Sequence, residues 1–344
     1  MIRGLKRMVS VALWPVLLSM LVSPWTLPAL ADDDALIIYS GRSDKFVKPV
    51  MAAFTEKTGI EVKLHSAKST ALLNKLRVEG ARTQADLYIS NDAGNLQLGS
   101  ELGLFAPLPE DLVKVIDSKL RAPDNTWVGL SARARVLVVN TGQQRTGFVK
   151  SVFDLADPRL EGRLGITHSG NESFIAGATV YMLKAGKERT RRWLEGMRDN
   201  VDGQVFNKHS KIVAAVAAGK KDIGLVNHYY IYRHLARHPD APIRILLPDQ
   251  GPEGMGVAWN VAGIAVSKYS KRQAQARRLV AFLVSEAGQE IFAKVNREYP
   301  TRPGVPADPA IPPVSSYKVA DVPMAELARQ RDATIDLLES VGMP

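Results

Sequence analysis

Between residues 35 and 89 the chain alternates short apolar runs with stretches of helical period, and this alternation constrains the fold more than any other feature. Ala35-Leu36-Ile37-Ile38-Tyr39-Ser40 is apolar on successive residues, as a strand covered on both faces must be. After a turn at Gly41-Arg42, residues Val47, Val50, Met51 and Phe54 recur at helical spacing as far as Lys57-Thr58-Gly59. Residues 60–64 read as the next strand, 69–79 as a helix, and Asp86-Leu87-Tyr88-Ile89 as a third strand. Strand, helix, strand, helix, strand predicts a doubly wound α/β layer. Ligands of such layers sit at the carboxyl ends of strands, which points to the loops at 40–44 and 90–95.

A second set follows a long connection. Trp127-Val128-Gly129-Leu130, Ser131-Ala132-Arg133-Ala134-Arg135 and Val136-Leu137-Val138-Val139-Asn140 read as one long strand, or two, passing from one lobe to the next. Beyond it come a strand at 165–167, helices at 174–185 and 190–197, an apolar stretch at 212–218 and the strand Asp222-Ile223-Gly224-Leu225-Val226-Asn227, which enters a helix at 228–235. Val261-Ala262-Gly263-Ile264-Ala265-Val266 is a strand able to cross back. Helices at 275–283 and 288–295, a Pro-rich run and a terminal helix near 324–338 complete the pattern. At about 150 residues per domain, 344 residues make two. The expectation is an α/β two-lobe clamshell, each lobe a doubly wound mixed sheet, with hinge strands between lobes. Its parts are a signal peptide at 1–31, an N-terminal lobe at 32–134 plus 260–302, and a C-terminal lobe with terminal helix at 135–259 plus 303–344.

The signal assignment rests on Arg3, Lys6 and Arg7, an apolar run from Met8 to about Val22, and Ala29-Leu30-Ala31 ahead of Asp32-Asp33-Asp34. Cleavage is expected after Ala31. The run falls short of about 20 apolar residues and contains Pro15, which argues against an uncleaved anchor. The chain has no cysteine, so a lipid-modified N-terminal Cys, disulfides, thiolate zinc sites and iron–sulfur clusters are excluded. A soluble exported protein is expected, most simply a monomer. Three of the formal +10 charges lie in the signal; the remaining +7 are scattered among acids, with no aromatic-basic stripe to suggest nucleic acid.

The unusual local feature is Asn227-His228-Tyr229-Tyr230, where a strand hands over to a helix. Adjacent side chains oppose each other in a strand but can converge at such a turn. A helix N-terminus favours phenolate over phenol. Ionising a phenol of pKa about 10 at neutral pH still takes several kcal/mol, which a hard trivalent cation supplies. The same spacing also fits one tyrosine in the core and one on the surface. Asp44, Asp92 and Glu172 each follow a strand and are candidate metal carboxylates, or helix caps and first-turn acids. Ser131, Arg133 and Arg135 could hold a small anion by bidentate hydrogen bonds, or form a solvated face or an interlobe ion pair. A zinc site among His209, His228, His234 and His238 is disfavoured because Pro239 ends the helix carrying the last two. There is no GxSxG, HExxH, P-loop or strand-borne GxGxxG, so no enzyme is expected.

Together these stretches resemble the periplasmic ferric-iron-binding proteins of bacterial ABC importers, the transferrin-like solute-binding proteins. The resemblance is carried by Tyr39-Ser40-Gly41-Arg42-Ser43-Asp44, Asp92-Ala93-Gly94-Asn95, Trp127-Val128-Gly129 with Arg133-Ala134-Arg135-Val136, Asn171-Glu172-Ser173-Phe174, Asp222 to Tyr230 and Glu298-Tyr299-Pro300. It implies ferric ion held between the lobes on Tyr229 and Tyr230, with carbonate or another synergistic anion, and delivered to an inner-membrane ABC permease. Two phenolates and one carboxylate neutralise Fe3+, and Asp44, on the first lobe, is the expected carboxylate. The sequence departs from relatives that place a histidine where Ser43 and Asp44 stand, a glutamate at Asn91, or a third tyrosine within 170–173. An organic-anion binder, for example for a sugar phosphate, is the alternative. An exported metal-dependent hydrolase using Asp44 or Asp92 is a further one.

Overall fold

The computed structural model describes Met1 and residues 35–344; the apolar run and the cleavage point expected after Ala31 lie outside the described residues. The opening alternation folds as its pattern predicts. Strand β1 (Leu36–Ser40) leads into helix α1 (Asp44–Thr58), strand β2 (Val62–Ser66), helix α2 (Ser69–Glu79) and strand β3 (Leu87–Ser90). Both β2 and β3 pair with β1 in parallel. Helix α1 turns Phe46, Val47, Val50, Met51 and Phe54 inward and stops at Gly59, whose φ of 71° is the left-handed cap that glycine adopts without strain. The second strand starts at Val62 rather than Ile60 because Ile60 is used to close α1: its carbonyl accepts from Thr55 Oγ1 and its N–H donates to Thr58 Oγ1.

Helix α3 (Ala93–Glu101), strand β4 (Phe105–Ala106) and helix α4 (Glu110–Val113) precede β5 (Trp127–Asn140). β5 is a single strand, and all of its 14 residues are buried. Next come β6 (Leu164–Gly165), α5 (Glu172–Ala185), α6 (Lys187–Val201), α7 (His209–Ala217), β7 (Ile223–Asn227), α8 (His228–Leu235) and β8 (Ile243–Leu246). The chain returns through β9 (Trp259–Ser267) to α9 (Gln273–Val284), α10 (Glu286–Asn296) and β10 (Tyr299–Pro300). It ends in α11 (Glu326–Arg329) and α12 (Arg331–Val341). The expected terminal helix is thus two helices that meet at Gln330.

Among the described residues the sheet order is β2-β1-β3-β9-β5-β7-β6. β5 changes partners midway: residues 127–134 pair antiparallel with β9, whereas residues 135–140 pair with β7 and β8. Gly129 lies opposite Gly263 in the β5–β9 ladder, next to a register shift. A Cβ on either would come within 2.6 Å of a carbonyl oxygen, so this crossing needs glycine on both strands. One core cluster joins Phe54, Ile89, Val128, Ile264, Leu279 and Phe292. A second runs without a break from Leu72, Tyr88 and Trp127 to Val138, Phe174, Trp193, Ile212 and Leu337. That continuity makes residues 35–344 one compact unit even though β5 serves two sets of strands.

Candidate metal centre

Helix α8 begins where β7 ends, and Asn227 is the turning residue, with extended backbone at φ −79° and ψ 139°. Its side chain does not cap the helix. Its Oδ1 accepts from Arg135 Nη1 at 3.2 Å, and its Nδ2 donates to Ser173 Oγ at 3.2 Å and to the Tyr229 hydroxyl oxygen at 3.4 Å. The turn brings Tyr229 and Tyr230 together, with ring centroids 4.4 Å apart and planes at 36°. The edge of the Phe46 ring meets Tyr229, and His209 lies tilted against Tyr230 with centroids 5.1 Å apart. Both tyrosines line a cavity of about 760 Å³ that also touches Phe46, Arg133, Glu172 and His209. The wall therefore draws on β5 and on loops and helices from both sets of strands.

The Tyr230 hydroxyl is pushed well above the ordinary phenol range, first by the neighbouring Tyr229 oxygen and then by burial, with Arg133 acting the other way. The favourable end of the α8 dipole does not outweigh these effects. Near neutral pH the Tyr230 side chain is therefore held as the neutral phenol. His228, between strand and tyrosines, serves the scaffold. Its Nδ1 accepts from the Ala134 N–H at 3.1 Å, so its Nε2 carries the proton and faces the Arg297 carbonyl at 2.8 Å. Burial holds this imidazole neutral, its pKa lowered to about 4.

The arginines fall into two states. Arg42 is bound by both oxygens of Glu298, at 2.9 and 2.8 Å, and donates to Ser131 Oγ at 2.9 Å. Ser131 in turn donates to Glu298 at 2.7 Å. Burial raises the Glu298 carboxyl, but Arg42, Arg133 and Ser131 outweigh it and leave it below the usual carboxylate range. Ser131 thereby belongs to this internal cluster rather than to the wall of the cavity. Arg133 is equally buried, and neither Nη1 nor Nη2 has a hydrogen-bond partner among the described residues; Nε and Nη2 of Arg135 are likewise unpartnered. Burial lowers Arg135 to about 10.

The three carboxylates separate as well. Asp44 is not at the cavity. It accepts from Ser66 Oγ at 2.6 Å, pairs with Lys48 at 3.0 Å across one helical turn, and lines a different surface groove with β2. As the first residue of α1 it serves as a helix-start acid, which corrects its expected place beside the tyrosines. Asp92 caps α3 through the Gly94 N–H, accepts from Asn260 and pairs with Arg331 at 2.9 Å, so its oxygens are committed to structure. Glu172 opens α5 on the cavity wall, where Ser69 Oγ donates to it at 3.0 Å across from α2. Burial and Asp92 raise its carboxyl above the ordinary range.

The described residues contain no cluster of three or more His, Cys, Asp or Glu able to hold a metal. The ring centroids of His234 and His238 are 4.8 Å apart, away from the tyrosine cavity. Sequence reasoning missed His209 and Asn227 as cavity residues and Glu298 as the partner of Arg42. His209 is buried, both its ring nitrogens lack partners, and burial together with Arg135 and Arg133 keeps its imidazole far below the ordinary histidine range. The available signal was a histidine at the start of an apolar helical run, and only folding reveals that it abuts Tyr230.

With this geometry established, the relatives are informative. The family of bacterial extracellular solute-binding proteins matches residues 50–318. Iron uptake protein A1 of Synechocystis is 31% identical over 288 residues, covering 82% of this chain and 79% of its own. The major ferric iron-binding protein of Neisseria meningitidis is 30% identical over 319 residues, covering 92% of this chain and 94% of its own. The structure is also similar to that of a Trichodesmium protein in complex with iron and citrate, with a TM-score of 0.79, 29% identity, and coverage of 90% and 100%.

Proposed function

Since the chain belongs to the bacterial extracellular solute-binding proteins, a family of binding proteins rather than enzymes, we propose that it captures ferric iron on Tyr229 and Tyr230 in the periplasm and delivers it to an inner-membrane ABC permease. The observation that carries this reading is the convergence of two phenols, 4.4 Å apart at their centroids, on a cavity that also presents the unpartnered guanidinium of Arg133. Phenolate is a hard donor suited to Fe3+. Two phenolates would balance two of its three charges, and Glu172, which lines the tyrosine cavity whereas Asp44 lines another groove, would balance the third. Arg133, with Arg135 behind it, would hold carbonate or another synergistic anion beside the metal. Asn227 Nδ2 donates to the Tyr229 hydroxyl oxygen at 3.4 Å, a contact that would help hold that phenol at the cavity.

The proposed lobes, 32–134 with 260–302 and 135–259 with 303–344, are supported by the exchange of β5 partners at Ala134 and Arg135. The Ser69–Glu172 hydrogen bond and the Arg331–Asp92 pair would be latches of the closed clamshell. The test is a titration of the metal-stripped mature protein with ferric citrate, read in the visible. The wild type should develop a phenolate-to-iron charge-transfer band, and Tyr229→Phe and Tyr230→Phe should each lose or strongly shift it. Iron uptake without the band would remove the tyrosines from the site. Failure to take up iron would leave an organic anion as the cargo.

A further inference from the structure

Tyr230 borders a second cavity, of about 520 Å³, lined by Lys45, Arg233, Arg237, Lys294 and Arg297 and, among the described residues, by no aspartate or glutamate. Two of these cations have carboxylates nearby: Lys294 with Glu290 at 3.4 Å and Arg297 with Asp308 at 3.5 Å. The other three have no carboxylate partner among the described residues. Lys45 and Arg233 both lie over the Phe46 ring, each 4.9 Å from its centroid, and Arg233 Nη1 is buried without a hydrogen-bond partner. Arg237 donates from Nε to the Arg233 carbonyl at 3.1 Å. The Lys45 ammonium is held below its ordinary range by burial and then by Arg233, Lys208 and Arg237, the sign of like charges crowded together. These cations come from α1, from α8 and the turn after it, and from α10 and its C-cap, so an anion among them would join both sides of the proposed clamshell.

We propose that this basic cavity docks the free carboxylates of a ferric polycarboxylate chelate, presenting its iron to Tyr230 before transfer to the tyrosine pair. The proposal rests on the ferric-carrier reading above and adds the form in which the iron arrives. Two features favour a polycarboxylate over a single small oxyanion. At about 30 Å³ per water-sized group, 520 Å³ accommodates a branched anion. The shared wall at Tyr230 also allows one bound complex to engage the cations with its outer carboxylates and the phenol with its metal.

The experiment compares two iron donors on the metal-stripped mature protein by stopped-flow growth of the phenolate band at low ionic strength. Ferric citrate carries free carboxylates, whereas ferric acetohydroxamate is neutral and has none. In the double variant Lys45→Glu/Arg237→Glu, both at exposed positions, transfer from ferric citrate should slow by about tenfold or more. Transfer from ferric acetohydroxamate and the final band should match the wild type. Added salt should shrink the difference between wild type and variant with citrate alone. Equal slowing with both donors, or none with ferric citrate, overturns the proposal. Calorimetry of the iron-free protein separates the anions: citrate binding that the variant loses supports the docking role, and binding of inorganic phosphate but not citrate overturns it. Absence of the band from either donor in the wild type would instead overturn the ferric-carrier reading on which the proposal rests.

Discussion

Arg42 and Arg133 are each 3% exposed and share one carboxylate in their surroundings, yet they are solvated by the protein in opposite ways. Arg42 has both oxygens of Glu298 and the hydroxyl of Ser131. Arg133 influences Glu298 only at a distance and keeps two unpartnered terminal nitrogens at the tyrosine cavity. One negative charge therefore faces two buried positive ones. Burying an unpaired ion costs several kcal/mol, a cost that a bound anion offsets. Both arginines line the tyrosine cavity, and the comparison separates one whose terminal nitrogens are compensated by the protein, with only Nε unpartnered, from one whose terminal nitrogens are left without partners.

The largest expected effect tests the scaffold side. Glu298→Gln should cost about 3–5 kcal/mol in denaturant unfolding, because it leaves Arg42 and Arg133 both uncompensated. Arg133→Met should leave the stability of the iron-free protein unchanged or raised, while iron affinity in the presence of carbonate falls by about tenfold or more. An equal loss of stability in both variants would erase the distinction.

A slightly smaller effect comes from His228, whose imidazole drops from the ordinary 6.5 to about 4 on folding. The unfolded chain binds the proton more readily, so His228 contributes fully above pH 6.5 and its contribution is lost as pH falls toward 4. The loss is about 3 kcal/mol. Unfolding measured across that window should show the slope, and His228→Gln should flatten it. The smallest effect sharpens the contrast between carboxylates: Asp44→Asn should change stability by less than about 0.5 kcal/mol and leave iron affinity unchanged. A loss of iron binding there would return Asp44 to the metal.

Much of the frame was legible before folding. The apolar runs of β1, β7 and β9 and the period of α1 are local signals, and the turn from Asn227 into Tyr229 and Tyr230 was visible as a strand running into a helix. The short strands β4, β8 and β10 were not, since two to four residues carry too little periodicity and form only because β5 or β9 offers them an edge. The carboxylates illustrate the limit well. Asp44, Asp92 and Glu172 look alike in sequence, each a polar residue after a strand. One was drawn to Ser66 and Lys48, one to Asn260 and Arg331, and one to the cavity wall.

The sequence by itself determined the α/β alternation, the absence of thiol chemistry and the adjacency of two tyrosines at a helix start, because each depends on neighbours within a few residues. Only the tertiary structure decided that Glu298 neutralises Arg42, 256 residues away along the chain, that Arg133 is left unpartnered, and that His209 abuts Tyr230. The balance of buried charge depends on which distant side chains meet, and no local pattern encodes that sum.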